Sequence, residues 1–211
     1  MTMGLRETKK QQTRAALSET ASALFRERGF DQVSVAEIAR MAGVSVNTAF
    51  NYFPTKEDLF FDSQPLAENH LADVVVTAPS DTTPADALLA DLLGALQRRD
   101  PALGLCKDAA AFWRTVAESP TLTARSREIA ERAERALAHA LAERSGRQTG
   151  DPETHLLAGA LCGAYRAAVG QIRQRAITGE DPSRVLDELG PTIEYLFSHL
   201  RGLAQPLPPP S

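Results

Sequence analysis

The sequence predicts an all-α fold, with a small amino-terminal three-helix bundle followed by a longer all-helical domain. Two observations carry this. Apolar residues recur at helical spacing along most of the chain, with no competing strand alternation of useful length, and the interruptions are helix-stop and helix-start signals built from glycine, Asp-Pro and Ser-Pro. With 211 residues, 43% of them hydrophobic and 24% charged, the chain can bury a substantial core.

Taken in order, the pairs Ala16/Leu17, Thr20/Ala21 and Leu24/Phe25 recur every four positions and predict a first helix between Lys9 and Arg28. It ends at Gly29, a residue that readily takes the left-handed cap conformation, with Phe30 placed to fold back onto the stripe. Ser34-Val35-Ala36-Glu37 has capping-box spacing, a hydroxyl at the N-cap and a carboxylate three residues on to reach back to the N-cap amide. A second helix starts there and runs to about Ala42, because Gly43 supplies the positive φ of a tight turn and Ser45 is a new N-cap. The third helix covers about Val46 to Tyr52 and is stopped by Phe53-Pro54, since the residue before proline is pushed out of α geometry. Thr55 then caps a fourth helix with Glu57 and Asp58 in its first turn.

Beyond Leu59 the chain is rich in alanine and leucine, with breaks at 78–84, 100–101, 119–120, 146–152 and 179–182. Asp151-Pro152 and Asp181-Pro182 each pair a capping aspartate with a first-turn proline and predict two long helices, about 152–178 and 182–203. Pro65 is expected to kink or break the fourth helix, and the end of the chain, AQPLPPPS, to be an extended tail. The expected division is 1–60, 61–204 and a disordered 205–211.

The formal charge of −4 is unevenly spread. Residues 1–14 carry Arg6, Lys9, Lys10 and Arg14 against Glu7 alone, whereas from Phe61 onward 15 basic residues face 20 acidic ones. Any polyanion contact is thereby placed at the amino end. No stretch approaches the roughly 18 apolar residues of a membrane span and residues 1–10 contain no signal core, so a cytoplasmic protein without a membrane partner is expected. Cys106 and Cys162 have no ligand spacing and read as small buried hydrophobes, and His70, His139, His155 and His199 are isolated, so no metal is expected. With no GxSxG, P-loop, GxGxxG or paired-carboxylate spacing, neither enzymatic activity nor a cofactor is expected.

A short helix, a glycine turn and a second short helix make a helix-turn-helix, whose second helix suits the major groove. Ala39 is small where the two helices cross, and Ile38, Val44 and Phe53 supply the contacts that fix their angle. The stretch SVAEIARMAGVSVNTAFNYFPTKEDLF resembles the helix-turn-helix of the TetR family of bacterial transcriptional regulators, and ALSETASALFRERGF upstream resembles the family's first helix. The resemblance covers about residues 6–61. It implies an Ω-like homodimer whose amino-terminal heads bind double-stranded DNA at a pseudo-palindromic operator, and whose divergent carboxy-terminal domain binds a small-molecule effector and dimerises through its last two long helices. A ligand-released repressor is the leading expectation, with an activator or a ligand-independent regulator controlled by a protein partner as the alternative.

Carried over residue by residue, the resemblance places the DNA-facing surface on Ser34, Val35, Ala36, Ser45, Val46, Asn47, Thr48, Phe50, Asn51 and Tyr52, with Lys56 in the position of the family's phosphate-binding lysine. Hydroxyls, amides and a lysine at helix starts suit phosphates. Asn47 is the best base reader, because an amide pairs with adenine N6 and N7, and Val46 suits a thymine methyl. From Ser45 to Phe53 there is no charged residue, so A/T-leaning contacts are expected. Phe50 and Phe53 read equally as packing residues, Phe53 above all. Arg6, Lys9 and Lys10 are either further DNA contacts or a solvated terminus.

In the second domain, Gly159, Ala160, Gly163, Ala167 and Gly170 leave the helix around 156–177 with little bulk. Paired with the stripe Val185, Leu189, Ile193, Leu196 and Leu200, it suits a four-helix dimer interface through about 152–178 and 182–203, or else a tight intramolecular bundle. Phe112, Trp113, Arg114 and Tyr165 mix large and polar side chains and either line an effector pocket or form ordinary core.

Overall fold

The computed structural model describes residues 5–62 and 68–202, with the side chains of all but residues 5, 6, 107 and 108. Pro65, the Arg6 side chain and the proline-rich tail lie outside the described residues. The chain divides into two compact units, Met1–Pro65 and Leu66–Ser211.

The first unit holds α1 (Leu5–Arg28), α2 (Val35–Met41), α3 (Val46–Tyr52) and α4 (Lys56–Asp62). The basic leader is therefore helical from Leu5, and Lys9 and Lys10 sit exposed on a helix rather than on a free arm. Leu17, Ala21 and Leu24 of α1 meet Ile38, Ala39, Ala49, Phe53 and Leu59 in a nearly solvent-free core. Phe30 does fold back: its ring lies 5.3 Å from Phe25 and 5.4 Å from Phe60, tilted and edge-on as the ring quadrupoles favour. Ser34 accepts the Glu37 amide, but the reciprocal half of the expected capping box does not form. The Glu37 carboxylate instead takes the Arg28 guanidinium at 2.6 Å, a charged partner outcompeting a neutral amide. The reciprocal box closes at α4, where the Thr55 amide donates to Asp58 and the Asp58 amide to Thr55 Oγ1, both at 3.1 Å.

The second unit is built from α5 (His70–Thr77), α6 (Pro84–Gln97), a 3₁₀ turn (Pro101–Leu103), α7 (Lys107–Glu118), α8 (Pro120–Ser145), α9 (Pro152–Ile177) and α10 (Pro182–Arg201). Thr83, Ser119, Asp151 and Asp181 each cap the following helix ahead of a first-turn proline, so every expected break falls between two elements. Leu88, Leu92, Leu137, Leu161, Ile172 and Val185 are fully buried in one core. At the far end of α5, the Arg144 guanidinium donates to the carbonyls of Val75, Ala78, Pro79 and Thr82 at 2.6–3.1 Å, satisfying a helix end and the turn after it.

The stripe expected at a dimer interface is corrected here. Val185 and Ile193 are buried within the chain, Leu189 and Leu200 pack beside them, and α10 lies on α6 and α9; only Leu196 of the five is exposed. The outward residues of α10 include Tyr195, 69% exposed, and those of α9 include Leu156, 76% exposed. Side-chain positions at Gly163 and Gly170 face open space. Pro191 lies inside α10, which continues through it.

Candidate nucleic-acid interface and effector region

The turn between α2 and α3 is set by Gly43 at φ +72°, where a side chain would strain the backbone. The Val44 amide closes onto the Ala39 carbonyl at 2.9 Å, and the two helices cross over Ile38, Ala39 and Ala49, all at 0% exposure. Small residues at the crossing fix how far α3 stands out from the bundle. Ser45 Oγ caps α3 by accepting the Thr48 amide at 3.0 Å and pairs with Thr48 Oγ1 at 2.8 Å. Each serine cap takes one first-turn amide of the helix it starts.

The sequence-derived residues separate cleanly on this frame. Ser34, Ala36, Ser45, Val46, Asn47, Phe50 and Asn51 are exposed, and Val35, Thr48 and Tyr52 partly so. Phe50, at 45% exposure, is a surface residue of α3, whereas Phe53 is core at 1%. The described surface of α3 therefore presents two amides, Asn47 and Asn51, with apolar side chains and hydroxyls but no charge. Arg40, exposed in the last turn of α2, is a nearby cation that motif reading did not single out. Arg14 is held by Asp62 and covers the Phe53 ring at 4.6 Å.

Lys56 sits differently from a free phosphate anchor. Its Nζ donates to the Phe30 carbonyl at 3.0 Å and lies 4.1 Å from the centre of the Phe30 ring. The ammonium thus ties the start of α4 to the turn after α1 by a hydrogen bond and a cation–π contact.

The four residues considered for an effector pocket do not converge. Trp113 is buried, with Phe112 edge-on at 5.1 Å. Arg114 is exposed and donates to the Ile177 carbonyl. It lines a surface groove of about 370 Å³ between α7 and the turn joining α9 to α10, together with Gly104, Leu105, Ala110, Ala176 and Ile177. Tyr165 instead donates to Asp91 at 2.9 Å, and the same Asp91 oxygen meets His70 Nε2 at 2.8 Å. Burial pushes the Tyr165 hydroxyl up, so it stays a neutral donor. Burial also works to raise Asp91, but the bonds from His70 and Tyr165 outweigh it and hold the carboxyl low. Arg173 was missed by sequence reading. Its guanidinium stacks 3.3 Å from the Trp113 ring centre and donates through Nε and one Nη to the Ala102 carbonyl.

Residues 17–62 match the family of bacterial regulatory proteins described as the tetR family, and residues 108–200 match the MftR C-terminal domain. Among curated proteins, the chain is 54% identical over 43 residues to the HTH-type transcriptional regulator LuxR of Vibrio harveyi, covering 20% of this chain and 21% of LuxR. It is 34% identical over 71 residues to the HTH-type transcriptional regulator AcrR of Shigella flexneri, covering 33% of each. The matched stretches thus span a fifth to a third of these relatives' lengths. Among solved structures, NalD, the secondary repressor of the MexAB-OprM multidrug efflux pump in Pseudomonas aeruginosa, superposes with a TM-score of 0.56 at 19% identity, covering 87% of this chain and 96% of its own. GusR of Salmonella enterica gives 0.53 at 17% identity, covering 91% and 95%. These two share the fold, and the family matches fall on the helix-turn-helix and on the helical domain after it. The chain belongs to the TetR family of bacterial regulatory proteins.

Proposed function

We propose that this DNA-binding regulator is a homodimeric repressor that reads a pseudo-palindromic operator with α3 and is released by a small-molecule effector bound in its carboxy-terminal unit. The observation that carries the reading is the outward face of α3: exposed Val46, Asn47, Phe50 and Asn51 above a core that fixes the helix's stance. A charge-free face holding an asparagine suits adenine and thymine edges, while the capped helix starts suit phosphates. Dimerisation is supported by the outward faces of α9 and α10, where Leu156, Tyr195 and Leu196 are exposed beside glycines that permit close helix approach. Small-molecule control is supported by the groove lined by Arg114 and Ile177.

Light scattering at micromolar protein together with a reporter gene driven from the selected operator tests this reading. A dimer that lowers reporter output is expected. A monomer contradicts the dimer, and raised output turns the assignment to the alternative, an activator.

A further inference from the structure

Most of the second unit's inward-reaching arginines have their partners within the chain. Arg147 has Asp151 and Glu153, Arg175 has Glu180 and Glu188, and Arg144 has its carbonyls. Arg173 is different. Among the described residues its guanidinium has no carboxylate, only the Ala102 carbonyl, which receives both of its hydrogen bonds, so the second Nη keeps its hydrogens unspent. Burial pulls Arg173 down to about 9, which still leaves it charged at neutral pH. Stacked on it, Trp113 is 95% buried by its 5% exposure, and its Nε1 is a buried donor without a partner. Arg173 is a half-buried cation with no carboxylate beside it among the described residues, and the Trp113 N–H next to it is a buried orphan of a kind proteins rarely leave uncompensated.

Both groups lie directly behind the wall of the groove. Gly104, which lines it, comes so close that a methyl there would sit 3.2 Å from Trp113 Cδ1, the carbon bonded to Nε1, and 3.6 Å from Arg173 Cγ. Ala176, one turn beyond Arg173 on α9, lines the same groove. At Gly104 no side chain stands between the donor pair and the groove, which is lined by the apolar Leu105, Ala110, Ala176 and Ile177 and also by Arg114 and by Glu180, whose carboxylate is paired with Arg175 at 3.3 Å.

We propose that the groove binds a small amphipathic anion, its carboxylate or phosphate head taken by Arg173 and the Trp113 indole N–H and its apolar part lying between α7 and α9. The head supplies the missing acceptor and counter-charge, and charge-assisted bonds away from bulk water are the strong ones. The proposal rests on the effector reading above only for its consequence on DNA.

Trp113 is the single tryptophan, so intrinsic fluorescence reports on the site alone. The full chain is titrated with octanoate, octyl phosphate and octan-1-ol. Saturable changes at concentrations about tenfold or more below that needed for octan-1-ol are expected for at least one anion, and the stronger of the two identifies the head group. Arg173→Met removes the preference over the alcohol. Should that variant not fold, Trp113→Phe keeps a single stacked ring while losing the N–H and part of the indole, and calorimetry then reads a fall in anion affinity larger than any fall for the alcohol. Equal binding of anions and alcohol, or no response to any of the three, overturns the site. Operator release by some other molecule in that case leaves the effector reading intact, whereas anion binding without any change in DNA affinity upholds the site and sinks that reading.

Discussion

At the scale of single residues, the head separates the groups proposed to read DNA from groups that hold the reader. Among the described residues the exposed Asn47 side chain has no hydrogen-bond partner, so its amide is available to a base edge. Lys56 is committed to Phe30 by hydrogen bond and ring contact. Lys56→Met is therefore expected to lower the melting temperature as well as the affinity for all DNA sequences, read by calorimetry and by fluorescence anisotropy. If instead the salt slope flattens by about 0.9, the value for one lost phosphate contact, with the melting temperature unchanged, Lys56 is a phosphate anchor alone. Motif resemblance supplied the position of this lysine. Its partner could not be read there, because Phe30 lies 26 residues away and meets it only in the folded head.

At the scale of elements, the local signals were legible and the neighbours were not. Ser34, Gly43, Ser45 and Pro54 delimit α2 and α3 within the sequence, because caps, positive φ and the pre-proline restriction act over a few residues. Periodicity located the apolar face of α10 as well, but could not say what covers it, and α6 and α9 do. Arg173 escaped notice for the same reason: it is one of three arginines in an alanine-rich helix and carries no local mark, and its lack of a counter-charge among the described residues is a tertiary fact. The α5–α6 turn gives a test at this scale. Replacing Arg144 removes the guanidinium from four carbonyls, of which Pro79 keeps the Thr82 amide, so Arg144→Met is expected to destabilise the second unit by about 1–3 kcal/mol, measured by urea denaturation. Arg144→Lys should recover little, since a single ammonium does not match the spread of a guanidinium over four carbonyls. Loss below 0.5 kcal/mol would mean water serves those carbonyls about equally well.

At the scale of the whole molecule, stability should carry a pH signature from the His70, Asp91 and Tyr165 cluster, which joins α5, α6 and α9. The hydrogen bond to Asp91 raises His70, burial opposes it, and the charges of Asp91, Asp100 and Asp73 add to the rise. A raised histidine contributes stability that is fully present below its unfolded value, about 6.5, and is lost as pH climbs through the folded value. The melting temperature is thus expected to fall as the pH rises above about 6.5, with that slope reduced in His70→Gln. A slope unchanged by the substitution would assign it elsewhere. The acidic second unit and the charge-free α3 also imply binding led by fit to base edges, with few phosphate contacts and a modest salt dependence.

The central claim, that α3 is the reading helix, is tested most directly by selecting bound sites from random DNA duplexes with the full protein and with Asn47→Ala in parallel. Inverted half-sites weighted toward A/T where α3 docks are expected, with preference relaxed at one symmetric pair of positions in the variant. Strong guanine dependence at those positions, or identical preferences for the two proteins, would contradict it.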